Sequence, residues 1–251
     1  MPETAPQKAT VLDAAGRPLS PTTAERAKAL VASDKAEFVS ESPLTIRLRR
    51  TVELPPPPEP SEPPGRGRQL LLHVCCGPCG TYPALHLREE AFEVTAFWYN
   101  PNIHPFSEHE RRREALHQFA TAEDLPVLEW PDYEMVAFLR AVAGREAFGE
   151  RCRFCYRMRL ERTAQMAREQ GFDAFTTTLL ISPYQDEEMI RALGEEVGQV
   201  AGVPFYYERL RRGWSERGRL AKAHGLYRQD YCGCIYSEWE RHRGAPIERE
   251  G

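Results

Sequence analysis

The sequence predicts an α/β domain, a parallel sheet covered by helices on both faces. Three observations predict it. From residue 69 onward, short apolar or β-branched runs alternate with longer segments of helical periodicity. The glycine- and cysteine-bearing turn "CCGPCG" (75–80) stands between the first such run and the first helical segment. That is where nucleotide-binding sheets of this architecture carry a glycine-rich loop. There is also no internal repeat and no apolar run long enough to span a bilayer.

The elements follow in order. "QLLLHV" (69–74) reads as a buried strand and "TYPALHLREE" (81–90) as a helix. "FEVTAFWYN" (92–100) is a second strand, and "SEHERRREALHQFATAED" (107–124) a charged amphipathic helix. "LPVLEW" (125–130) is a strand and "DYEMVAFLRAVAG" (132–144) a helix. "CRFCYRMRLERTAQMAREQG" (152–171) is a long helix that Gly171 stops. "FDAFTTTLL" (172–180) is a β-branched strand, and the helix after it is expected to start at Ser182 and Pro183. "VPFYYERL" (203–210) is a strand and "SERGRLAKAHG" (215–225) a helix. Sheets of this kind bind ligands beyond the C-terminal ends of their strands, which places the thiol turn at the expected site.

Residues 1–66 differ. They hold no Cys, Trp or Tyr and run into "ELPPPPEPSEPPGRGR" (53–68), a polyproline-type stretch. They are expected to form a mostly disordered extension and linker, with "TAERAKALVAS" as a short helix and "PLTIRLRRTVEL" as a short strand. Residues 67–251 are then the catalytic domain. "MPETAPQKAT" lacks the apolar core of a secretory signal, so a cytoplasmic location is expected. A formal charge of −4 means that nucleic acid would have to be met by a local basic patch.

The seven cysteines carry the chemistry. Structural disulfides are rare in the cytoplasm, and the count is odd, so metal ligands or redox thiols are expected. Cys75, Cys76 and Cys79 lie in the first turn, Cys152 and Cys155 form a CxxC at a helix start, and Cys232 and Cys234 form a CxC. A helix N-terminus favours thiolate. Adjacent Cys75 and Cys76 are expected to point apart, reaching two irons of a cluster more readily than one small ion. Seven thiols also exceed the four that one zinc takes. An iron–sulfur centre, a structural zinc and a metal-free thiol pair all remain open on these rules.

"LLHVCCGPCG", "YNPNIHPFSEHERR", "RCRFCYRMRLERTAQMAREQGFDAFTTTLLISPYQ" and "HGLYRQDYCGC" together resemble the QueH-type epoxyqueuosine reductases over roughly residues 69–238. The resemblance implies a HUP-like (Rossmann-like) domain with a [4Fe-4S] cluster at the strand ends. It implies reduction of epoxyqueuosine to queuosine at the wobble position of tRNA anticodons. It carries the cluster ligands onto Cys75, Cys76, Cys152 and Cys155. Cys232 and Cys234 become either a redox dithiol or, with Asp230, the ligands of a second metal ion such as iron. Cys79 has no assigned role. The reaction takes two electrons from a donor that the sequence does not identify.

Protons are needed too, and Asp230, Tyr231 and Tyr184 flank the thiols or the "ISPY" turn; for both tyrosines ordinary packing is the plainer reading. Asn100, Asn102 and His104 lie in a loop at the same rim, where Thr177, Thr178 and Ser182 also fall. The RNA is expected to meet Arg211, Arg212, Trp214 and Arg217, with Arg151, Arg153, Arg157 and Arg159 as a second basic run. Two rivals stand beside this reading. An ATP-dependent tRNA sulfur transferase of the same fold class would carry an SGGxDS-type loop, which is missing here. A non-catalytic zinc module that grips RNA would bind zinc and no iron.

Overall fold

The computed structural model describes residues 8–51 and 63–248, which fall into two compact units, one up to Ser61 and one from Glu62 onward.

The first unit contains β1 (Lys8–Leu12), β2 (Pro18–Thr23), α1 (Ala24–Ala32), β3 (Ala36–Glu41) and β4 (Leu44–Leu48). The sheet order is β2-β1-β4-β3, with β1 and β4 parallel and the outer pairs antiparallel. Thr23 caps α1 by accepting the Arg26 N–H. The buried Asp13 carboxylate accepts the Ala15 and Arg17 N–H groups, each at 2.9 Å, and fixes the turn between β1 and β2. The expectation of a mostly disordered extension therefore fails for residues 8–51, although the short helix and the short strand are there as α1 and β4. The core is Ala9, Val11, Ala27, Ala36 and Ile46. Such small side chains give little compositional signal, and the β1–β4 pairing that assembles them is non-local. The polyproline stretch lies outside the described residues as far as residue 62. Beyond it, the Gly65 N–H donates to the Glu90 carbonyl at 3.0 Å, so residues 63–66 belong with the second unit, not with the extension.

The second unit is built on β5 (Gln69–His73), β6 (Glu93–Trp98), β7 (Val127–Glu129) and β8 (Ala174–Thr177), all parallel in the order β7-β6-β5-β8. Alternate residues of β5 face opposite ways. Leu71 packs with Phe97 and Phe175 under α5 (Glu150–Gln170) and α6 (Glu187–Ala201). Leu70 and Leu72 pack under α2 (Gly77–Glu89), α3 (Phe106–Ala122) and α7 (Trp214–Ala223). Each such buried leucine contributes about 1.5–3 kcal/mol, so the all-apolar run is what seats the central strand. Helices do cover both faces.

Local differences from the sequence reading are few. Gly171 closes α5 in the left-handed region, φ 76°, as expected. α6 is capped by Asp186, which accepts the Met189 N–H, and not by Ser182; the serine hydroxyl accepts the Tyr184 N–H one turn earlier. The strand expected at 203–210 is reduced to one bridge between Phe175 and Phe205. α4 (Met135–Val142) is present, and α8 (Ile235–Arg243), a helix with no apolar stripe long enough to announce it, follows the last cysteine pair.

Candidate metal centre

β5 delivers the first thiols. Its last residue, His73, is fully buried and held between Thr177 Oγ1 (2.8 Å) and the Tyr99 carbonyl (3.2 Å). The carbonyl can only accept, so Nε2 carries the proton and Nδ1 accepts from the threonine. Burial lowers the histidine pKa to about 4, so the ring is a neutral tie joining three strand ends beneath the cysteines. The chain then turns. Cys76 is extended and caps α2, its sulfur accepting the Cys79 N–H at 3.4 Å. Glycine is required at 77, where a Cβ would lie 2.4 Å from the Ala115 carbonyl oxygen. Thr178 accepts the Cys75 N–H at 3.1 Å and turns its hydroxyl to the Cys75 sulfur at 3.4 Å.

The result is three sulfurs, of Cys75, Cys76 and Cys79, within 4.8 Å of one another. Cys75 and Cys76 do not point apart as expected, their sulfurs being 4.0 Å from each other. The helix cap pulls one thiol and Thr178 the other toward the same space. Cys75 is held well below the ordinary thiol range because the Cys76 and Cys79 thiols donate to it. Cys76 is pushed well above that range by burial and by its bond to Cys75, and Cys79 rises to about 12, chiefly through its own bond to Cys75. One thiolate is thus stabilised by two thiols. A metal ion would displace the remaining protons.

The other four cysteines come from α5 and the loop before α8. Cys152 and Cys155 occupy the first two turns of α5. Cys234 caps α8 by accepting the Ser237 N–H, and Cys232 is exposed. Cys155 is buried with Cys234 against Phe138 and Val142. Although Cys232 as a residue is exposed, the protein crowding its sulfur raises the thiol to about 11, and the charges of Cys234, Cys152 and Cys75 also act on it. Cys152 packs against the same core as Cys75, Cys76 and Cys79, and Cys155 packs with Cys234.

Arg159, expected among phosphate-binding residues, is buried and turned inward, its guanidinium donating to the Cys155 sulfur at 3.1 Å. Arg151 is likewise buried and paired with Glu240, and Arg157 pairs with Glu196. Of that run, Arg153 is exposed.

In the other basic run, Arg211 meets Glu187 and the Gln185 carbonyl, and Arg212 pairs with Glu208. Arg217 lies 3.7 Å over the Trp214 ring and reaches the Cys79 sulfur at 3.8 Å. Tyr184, strongly exposed, meets the same indole edge-on. Asp230 is exposed. The Tyr231 hydroxyl donates to the His104 carbonyl at 2.6 Å, so its proton is committed to the fold. Thr177 and Thr178 are buried and serve His73 and Cys75.

Three residues at the site escaped the sequence reading. Arg112 is 1% exposed, pairs with Glu108 at 2.6 Å and donates to the carbonyls of Cys232 (2.9 Å) and Tyr231 (3.3 Å). Gln229 donates to the Cys76 sulfur at 2.8 Å. Gln185 donates to the Cys232 sulfur at 3.5 Å. The Glu108–Arg112 spacing is visible in the sequence, but it reads as one more surface pair on a charged helix.

A parallel α/β sheet with a largely buried three-thiol group on the turn after an inner strand, in a chain with four more thiols, defines a metal-competent thiol protein. Residues 70–240 match the family model "Epoxyqueuosine reductase QueH", and the chain belongs to that family. A relative from Dehalococcoides mccartyi is 39% identical over 69% of this chain and 94% of its own length. One from Thermotoga maritima is 41% identical over 72% and 96%, and one from Streptococcus pyogenes 36% over 67% and 69%. All three are named epoxyqueuosine reductases. Residues 9–58 match a second family model, "RRXRR protein".

Proposed function

We propose that the protein reduces epoxyqueuosine in tRNA to queuosine, removing the epoxide oxygen as water with two electrons and two protons. The observation that carries this reading is the group of three sulfurs on the turn after β5, in a chain of this family. A donor set made of thiols alone suits a soft iron–sulfur centre better than a hard cation. Cys75, Cys76, Cys152 and Cys155 would hold a [4Fe-4S] cluster, which when bound supplies electrons one at a time. Gln229, Thr178 and Arg159 already direct N–H or O–H groups at three of those sulfurs and so orient them. Cys232 and Cys234, with Asp230 nearby in sequence, stand as the reactive pair or as holders of a second metal ion. The exposed Tyr184 and the half-buried Trp214 and Arg217 offer stacking faces and charge beside Cys79, where an unpaired anticodon base would enter. Arg211 and Arg212 would extend that surface, and a HUP-like, Rossmann-like reading of the parallel sheet would set it beyond the strand ends.

One geometric fact favours a second reading, a single metal ion on the turn. Tetrahedral zinc with bonds of about 2.3 Å sets its sulfurs about 3.8 Å apart. The 4.0 Å between Cys75 and Cys76 is close to that. The test is turnover. Protein kept from oxygen and supplied with a strong reductant is incubated with tRNA carrying epoxyqueuosine, and the nucleosides are then identified by mass. Queuosine formed in step with enzyme supports the proposal; unchanged epoxyqueuosine beside intact metal removes it.

A further inference from the structure

The loop from β6 to α3 contains an asparagine with no structural task. Asn100 donates its amide to the Val74 carbonyl at 2.9 Å. Asn102 is only 1% exposed, yet neither Oδ1 nor Nδ2 has a hydrogen-bond partner among the described residues. Leaving a buried polar group unpaired costs on the order of 1–3 kcal/mol, and leucine, of similar shape, would carry no such penalty.

The location of this unused amide is informative. Its Nδ2 lies 3.4 Å from where a Cβ on Gly233 would stand, so it abuts the turn between Cys232 and Cys234. The same loop is fastened there by the His104 N–H, which donates to the Gly233 carbonyl at 2.8 Å. A second amide shows the same surplus at the other thiol group. Gln229 gives its N–H to Cys76, while its buried Oε1 has no partner among the described residues.

We propose that Asn102, seconded by Gln229, is the residue that reads the substrate, by hydrogen bonding a hydroxyl-bearing ring. A hydroxyl both donates and accepts, which matches the two free atoms of Asn102 and the free acceptor of Gln229. Guanosine that lacks the added ring brings no ring hydroxyl to that position, and a hydrocarbon ring brings none either. This rests on the functional reading above, and takes the ring that carries the epoxide to carry hydroxyls as well. A site built to hydrogen-bond a hydroxyl rejects the analogue that lacks it, because its own buried groups are then left unpaired.

The test uses full-length, metal-loaded protein kept from oxygen, and two anticodon stem-loop RNAs. One carries the epoxide nucleoside; the other carries guanosine at that position. Wild-type protein should bind the first more tightly. Asn102→Leu should cut that preference by roughly 10- to 100-fold, with affinity for the guanosine RNA and metal content unchanged. Its melting temperature should rise, because the unpaired amide has gone. Asn102→Ala provides the same binding comparison if the leucine variant does not fold. Full preference retained in a folded variant overturns the proposal. So does a lower melting temperature for Asn102→Leu, which would mean that the amide serves the fold through buried water. A wild-type protein that cannot tell the two RNAs apart removes this proposal together with the functional reading.

Discussion

The two ends of the thiol site differ in what fixes their backbone. The backbone of the Cys75–Cys79 turn is set chiefly by its neighbours in sequence: a buried strand feeds it, Cys76 caps the helix that follows and Pro78 fits the first turn. Thr178 and Gln229 reach its sulfurs from elsewhere in the chain. The Cys232–Cys234 loop is held from a distance. Arg112 of α3 grips two of its carbonyls, His104 a third, and Tyr231 returns a hydrogen bond to His104. Gly233 at φ 135° occupies backbone space that side chains rarely adopt. A locally built turn keeps fixed sulfur positions for a metal. A loop held by distant contacts carries Cys232, an exposed residue whose sulfur is turned toward the protein.

The strongest way to break this comparison is to exchange one thiol at each end. Cys76→Ser should strip the metal and lower turnover by more than about 100-fold, since loss of a ligand's supporting partners alone costs 10- to 100-fold. Cys234→Ser should abolish turnover while iron and sulfide stay bound. Equal loss of metal from both variants would show that the two ends form one metal site. A subtler probe is Gly233→Ala, whose new Cβ would meet Arg112 Nη1 at 3.0 Å and Ile103 Cγ1 at 3.1 Å as well as straining the backbone. Turnover should drop roughly 100-fold through misplacement of the loop, with metal content unaltered; wild-type rates would show that its geometry is irrelevant.

The smallest effect concerns pH. His104 is buried, and desolvation lowers its pKa to about 4 from an ordinary 6.5. Its Nδ1 faces the Ile235 N–H at 3.4 Å and so accepts, leaving the proton on Nε2 and no lone pair there for a metal. Because the folded pKa is the lower one, the unfolded chain binds more protons between these two values. The stability held above pH 6.5 is therefore lost as pH falls toward 4, by up to about 3 kcal/mol for this group. Denaturant unfolding at pH 7 and pH 5 should show the fall, and His104→Asn should lessen it; an unchanged slope would refute the assignment.

The same division governs what could be read from the sequence. The parallel sheet, the thiol turn and its place after the first core strand were legible, because apolar runs, glycines and caps act within a few residues. The arginines expected to meet RNA were partly misread: Arg159 and Arg151 look like surface charge in a helix sequence, and only tertiary packing turns them toward Cys155 and Glu240. Arg112 was missed for that reason too. The folded unit at residues 8–51 was hidden because its core is made of alanines, a valine and an isoleucine brought together by non-local pairing.

The central claim, that these thiols hold an electron-carrying cluster, is tested most directly by composition. Protein purified without oxygen would be assayed for iron, acid-labile sulfide and zinc per chain, with its visible and EPR spectra recorded before and after dithionite. The account predicts about four irons and four sulfides with a reducible cluster signal, and any further iron would lie at Cys232 and Cys234. Stoichiometric zinc with neither iron nor sulfide, in protein never exposed to air, would contradict it.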